Sequence, residues 1–173
     1  NDDGYLQKLP LPRSAPLDRS GGFAVAAAVE ACADAGLTLP MANPPRVAVI
    51  LGNGAGGQSS MEEQYVRLYR ENKSKCHPGT VVRAMVSASA SWVSMAVKAQ
   101  GPCFVTSSAC ASSTHALGMA LALLRSGQAD VAIAGGTEAC LTEGTLLAWD
   151  AMRVVSNGVC RPFAKGRDGL LIS

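Results

Sequence analysis

Three observations predict an α/β fold with a mainly parallel sheet. Short apolar runs at 46–51, 103–105 and 130–134 read as buried strands. Longer stretches built from Ala, Leu, Val and Met lie between them and read as helices. Small residues or glycines follow the strands: the turn at 52–57, the cluster at 106–113 and the pair Gly135-Gly136. Strands that alternate with helices are joined by crossovers, which puts helices on both faces of a parallel sheet.

Taken in order, residues 1–19 read as an irregular segment, punctuated by Pro10, Pro12 and Pro16. The region 20–35 is a helix with Ala and Val on most of its faces, and Gly36 stops it as a C′ residue. A proline-rich loop leads to the strand at 46–51. The 59–72 stretch has the pattern of an amphipathic helix with Met61, Tyr65, Leu68 and Tyr69 on one side. Residues 79–99 read as one long helix containing Trp92. After the strand at 103–105 a helix runs to about Arg125, and Gly127 closes it. A further helix is expected over 141–152, a turn at Asn157-Gly158, and the start of a strand at 170–172.

The 173 residues are 48% hydrophobic and only 16% charged, with a formal net charge of +2. So apolar a chain suggests burial against more than its own core, and so small a charge gives no reason to expect nucleic acid. No apolar run approaches the roughly 18 residues of a membrane span, and no signal peptide opens the residues given. The expectation is a cytoplasmic protein that does not enter membranes. Cysteines stand at 32, 76, 103, 110, 140 and 160. None forms a C-x-x-C pair or a zinc spacing with His, so reduced thiols and no metal are expected.

Cys110 is the candidate nucleophile. It stands at the turn from strand to helix, where unpaired backbone N–H groups and the helix dipole favour negative charge. Such a place suits a thiolate attacking a carbonyl, and the same N–H groups can receive the oxyanion that forms. His115 lies five residues on. On the same helix the two are about 140° apart around the axis, which makes His115 a poor base and a better core histidine. His77, beside Pro78, reads as a surface residue. The spelling Gly52-x-Gly54-x-x-Gly57 after a strand matches a dinucleotide fingerprint, but Glu62 and Glu63 follow early in the next helix and no acidic residue ends a second strand about 20 residues on.

The segment Ser108-Ala109-Cys110-Ala111-Ser112, with His115 after it, resembles the active-site segment of the β-ketoacyl-acyl carrier protein synthases of fatty-acid elongation, members of the thiolase-fold condensing enzymes. Three more segments agree in order: Gly52–Gly57, the Ala129–Glu138 stretch with its glycine pair, and the Cys160–Gly169 stretch with Arg161-Pro162-Phe163. The resemblance covers the chain from about Leu17 onward. It implies a thiolase-like αβαβα layered fold, with residues 20–173 forming part of the first half. The two catalytic histidines of the family lie in its second half and are not among these residues.

The resemblance also implies a reaction and its partners. Cys110 takes an acyl group from the phosphopantetheine thiol of an acyl carrier protein, and decarboxylation of a malonyl-carrier supplies the carbanion that attacks it. No metal or redox cofactor is implied, since the pantetheine arm arrives on the carrier. Ala55 corresponds to a residue that sets acyl-pocket depth and Trp149 to an aromatic position beside the pocket; His115 is placed near the pocket floor or at a subunit contact and is kept as a substrate-binding candidate. Arg153 is the candidate for carrier docking. The strand before Cys110 resembles the one that pairs across the two-fold axis of family homodimers. Two alternatives stay open: a thiolase-like enzyme acting on coenzyme A thioesters, and a non-catalytic chain-length or binding partner. The motifs fit fatty-acid, polyketide and nodulation-type products alike.

Overall fold

The computed structural model describes residues 8–12 and 15–172. They divide into two compact units, one up to Ala139 and the other from Cys140 onward.

The first unit is built around one strand. Strand β1 (Val47–Gly52) is buried along its whole length. It lies between β2 (Cys103–Thr106) and β3 (Val131–Gly136), parallel to both. Val49 is opposite Cys103, and Val47 is opposite Val131. A central parallel strand is covered on both faces, and this is why β1 is apolar at successive positions rather than at alternate ones.

Its side chains nevertheless alternate between two cores. Val47, Val49 and Leu51 enter a cluster with Val25 and Cys32 of α1 (Arg19–Asp34) and Trp92, Val93 and Val97 of α4 (Ala88–Val97). Ala48 and Ile50 face the other way, onto Ala116, Ala120 and Leu123 of α5 (Ser112–Arg125). The unit is thus a helix–sheet–helix sandwich. Each fully buried Val or Ile contributes roughly 1.5–3 kcal/mol of transfer free energy.

The helix at 20–35 is found as α1, with Gly36 in the left-handed conformation after its C-cap. Its N-cap is Asp18, a buried carboxylate. One oxygen accepts the Ser20 backbone N–H and hydroxyl, both at 2.9 Å. The other accepts the Ser60 N–H at 3.1 Å and the Ser60 hydroxyl at 2.7 Å. Ser60 belongs to α2 (Gln58–Tyr65), which runs on through a π-helical turn over Val66–Arg70.

The structure reverses the expected amphipathicity of this helix. Its buried residues are Ser60 and Gln64, while Tyr65 and Tyr69 are exposed. Polar contacts decide the matter: Asp18 holds Ser60, and the Gln64 side-chain oxygen accepts the His77 N–H at 2.7 Å. The single helix expected over 79–99 is also corrected. It is two helices, α3 (Thr80–Ala84) and α4, broken where Met85 takes an extended conformation. Gly56 and Gly57 lie against the backbone of Arg83 and Ala84 there, so the path of the chain is set by the glycine turn rather than by the apolar pattern. Strand β3 runs on through both glycines, beyond the expected 130–134.

In the second unit, α6 (Glu143–Ala151) is capped by the Thr142 hydroxyl, which accepts the Thr145 N–H. Val155 bridges Leu170 in parallel, where the sequence suggested a strand starting. The Ser156 hydroxyl donates to Asp168 at 2.6 Å, closing the loop between them.

No helix among the described residues is long and apolar enough to cross a membrane. All six cysteines are free thiols.

Candidate active site at the carboxyl ends of the strands

In open parallel sheets, ligand sites form beyond the carboxyl ends of the strands, where loops and helix N-termini converge. Here β1 ends at Gly52, β3 at Gly136 and β2 at Thr106, and α5 begins against the first two. A side chain on Gly52 would strike the backbone of Ser112 and Ser113, and one on Gly136 would come within 2.8 Å of the Ser113 Cβ. Glycine at both strand ends therefore lets the start of α5 seat directly on the sheet. An open cleft of about 280 Å³ lies there, lined by Gly52, Asn53, Gly54, Ala109, Cys110, Ser113, Gly136 and Glu138 among others.

Cys110 is exposed at this cleft. It is not within the helix: α5 starts at Ser112, with Ala111 as N-cap. The chain leaves β2 through a tight turn in which Ala111 N–H donates to Ser108 and Ser112 N–H donates to Ala109, both at 3.1 Å. Ala109 has φ 50°, a left-handed conformation. The angular argument that separated His115 from Cys110 assumed a shared helix, so it does not apply here. His115 is exposed, not a core residue, and its Nδ1 lies 2.7 Å from the Ser108 hydroxyl.

The glycine turn after β1 is closed on itself. Glu138 accepts the N–H groups of Gly54 at 2.8 Å and Ala55 at 3.1 Å. The Asn53 side chain accepts Gly56 N–H at 2.6 Å and donates to the Thr137 carbonyl at 2.9 Å. Gly57 N–H donates to Ala84 at 3.3 Å. The donors that a dinucleotide pyrophosphate would need are already taken, one pair of them by a carboxylate. The fingerprint spelling here describes a packed turn, with Ala55 exposed upon it.

Trp149 and Arg153 belong to the second unit. Trp149 is half-buried on α6; Arg153 is exposed, with φ 57° just past the end of that helix. His77 is exposed, as expected. Among the described residues, no group of three or more His, Cys, Asp or Glu side chains is placed to hold a metal ion.

Sequence reasoning missed Asn53 and Ser112 as organisers of the cleft; Glu138, just after the glycine pair, was open to reading as a cap or internal partner. Asn53 carried one usable signal, an Asn between two glycines at a strand end, where a short amide can bond to nearby backbone.

A parallel sheet with helices on both faces and a cysteine at the strand–helix junction beyond its carboxyl end fits part of a condensing-enzyme fold of the thiolase type. A profile of the family described as "Beta-ketoacyl synthase, N-terminal domain" matches residues 3–173, and the chain belongs to that family.

Curated relatives include nodulation protein E of Rhizobium leguminosarum bv. trifolii, 37% identical over 164 residues. That match takes in 95% of this chain and 41% of the relative. Another is 3-oxoacyl-[acyl-carrier-protein] synthase 2 of Staphylococcus aureus, 33% identical over 177 residues, with 99% of this chain and 43% of the relative covered. A β-ketoacyl synthase from Burkholderia phymatum STM815 superposes with a TM-score of 0.81 at 28% identity, over 92% of this chain and 41% of that one. A type II polyketide ketosynthase, solved with its acyl carrier protein and bound to the hexaketide, gives a TM-score of 0.77 at 27% identity, over 88% of this chain and 40% of that one. The chain thus spans about two fifths of the length of the relatives it matches.

Proposed function

We propose that this chain carries the nucleophile-bearing part of a β-ketoacyl-acyl carrier protein synthase. The observation that carries the reading is the position of Cys110: exposed at the cleft where β1 and β3 end, next to the start of α5, in a chain of this family. In the first step the Cys110 sulfur attacks an acyl thioester on a carrier. A bond to the acyl carbon forms, the bond to the pantetheine sulfur breaks, and the carrier leaves as its thiol. In the second step a malonyl-carrier loses carbon dioxide. Its carbanion attacks the acyl carbon, and Cys110 leaves as thiolate with the chain two carbons longer. In this reading the Cys110 backbone N–H is one of two donors to each tetrahedral oxyanion, and the second comes from outside these residues.

In this reading the phosphopantetheine arm comes with the carrier, and neither metal nor redox cofactor takes part. Ala55, small and exposed on the glycine turn, leaves room for a medium or long acyl chain. Trp149 and His115 contact substrate, and Arg153 helps to dock an acidic carrier by charge. The protein works in the cytoplasm as a homodimer, with β2 pairing across the two-fold axis. An intact Cys110 speaks for an acyl acceptor rather than a non-catalytic chain-length partner.

The test is peptide mass mapping after incubation with a long-chain acyl-carrier thioester, on this chain and on the full gene product. Acyl adduct confined to Cys110 on the full product is expected. No adduct there would overturn the synthase reading in favour of a binding partner, and turnover without any malonyl requirement would favour a thiolase-like enzyme.

A further inference from the structure

We propose that Ser112 is a positioning residue that fixes the backbone turn presenting Cys110. The inference rests on Cys110 as the nucleophile and concerns how its turn is held. Ser112 is 5% exposed and sits at the first position of α5. Its hydroxyl accepts the Ser108 N–H at 2.8 Å and donates to the Ala109 carbonyl at 2.7 Å. Its own N–H donates to the same carbonyl at 3.1 Å. Its carbonyl accepts the Thr106 hydroxyl at 2.8 Å. One residue therefore ties down the last residue of β2 and both residues that precede Cys110.

The turn needs such a tie. Ala109 lies at φ 50°, in a region that non-glycine residues seldom occupy because the Cβ crowds the backbone. A residue persists there only when its surroundings over-determine it. Among the described residues, no other side chain hydrogen-bonds to the backbone of 107–111. Without the Ser112 hydroxyl, only the backbone bonds of Ala111 and Ser112 N–H oppose relaxation of Ala109 to negative φ. That relaxation rotates the peptide leading into Cys110 and turns the thiol away from the cleft. Glycine at 109 takes the left-handed conformation without the Cβ penalty, so Ala109→Gly compensates for loss of the hydroxyl.

The experiment measures iodoacetamide alkylation rates, resolved by peptide mass mapping on the full gene product. Cys76, exposed in a loop, is the internal reference, and Cys32, 2% exposed, reports opening of the domain. In the wild type, Cys110 is expected to react faster than Cys76. If it does not, the nucleophile reading fails. Ser112→Ala is expected to slow Cys110 at least tenfold with Cys76 and Cys32 unchanged, and Ser112→Ala combined with Ala109→Gly to recover to within threefold of wild type. A fast wild-type Cys110 that Ser112→Ala leaves unaltered overturns the positioning role alone. So does a loss that Ala109→Gly fails to rescue. Should Ser112→Ala unmask Cys32, the double variant decides: folded with a fast Cys110 supports the proposal, and still unfolded shows that Ser112 holds the domain rather than the turn.

Discussion

A side chain on Gly52 would run into the backbone nitrogen of Ser113. The last residue of the central strand and the second residue of α5 thus meet backbone to backbone, and the cleft at Cys110 is defined by that approach. Backbone cannot move aside as a flexible side chain can. Gly52→Ala is therefore expected to lose about 3 kcal/mol, the upper end of the cost of overpacking. Gly135, one residue before the end of β3, has nothing within 4 Å of where its Cβ would stand. Gly135→Ala should stay within about 0.5 kcal/mol of wild type. Urea midpoints of the two variants check this; equal losses would show that the Gly52 contact yields.

Asp18 is 4% exposed and takes four hydrogen bonds, two from Ser20 and two from Ser60. It caps α1 and at the same time holds the start of α2. Hydrogen bonds to a charged group are worth about 1.5–3 kcal/mol, and donors left buried without a partner add to the loss. Asp18→Ala should cost about 3 kcal/mol by urea denaturation. Ser60→Ala removes one donor and leaves the cap intact, so it should cost about 1 kcal/mol. A similar loss in both variants would assign the whole effect to the α2 contact.

The carboxylate of Glu138 closes the turn at Gly54 and Ala55, but it is exposed. Water can replace it at those N–H groups. Glu138→Ala is therefore expected to cost only about 1 kcal/mol. Amide hydrogen exchange gives a sharper reading: Gly54 and Ala55 should lose protection, while Gly56, held by Asn53, keeps it. Loss of protection at all three would show that Glu138 organises the entire turn.

The layers of the fold were legible because burial writes directly into sequence. β1 is apolar throughout because both its faces are covered, and α1 and α5 are rich in small apolar residues because they pack on it. The place of Cys110 at a strand–helix junction was legible from its setting between an apolar run and an Ala-rich helix. The turn that presents it was not, because nothing local marks Ala109 as left-handed; that conformation is held by Ser112, three residues later. The break at Met85 was hidden for a similar reason, since 79–99 is helix-compatible by composition and the interruption is set by contact with Gly56 and Gly57. In α2 the apolar pattern pointed to the wrong face, because Asp18 and His77, both distant in sequence, recruit Ser60 and Gln64 inward.

Arg46 and Asp130 join the entry ends of β1 and β3 through two parallel hydrogen bonds, Nε to Oδ2 at 3.0 Å and Nη2 to Oδ1 at 2.6 Å. The Arg46 guanidinium, chiefly by hydrogen bonding, holds the Asp130 carboxyl below its ordinary value. A carboxyl depressed in the folded state contributes stability that is present above its unfolded pKa, about 3.9, and is lost as pH falls through the folded value. Both side chains are exposed, so solvent and salt screen the contribution. Asp130→Asn should therefore lower the urea midpoint slightly at pH 7. The gap to wild type should narrow steadily below about pH 4 and shrink also in 1 M salt. A gap that persists unchanged into acid would mean that Asp130 acts through neutral hydrogen bonding, and that the charge of the pair adds nothing to the join between β1 and β3.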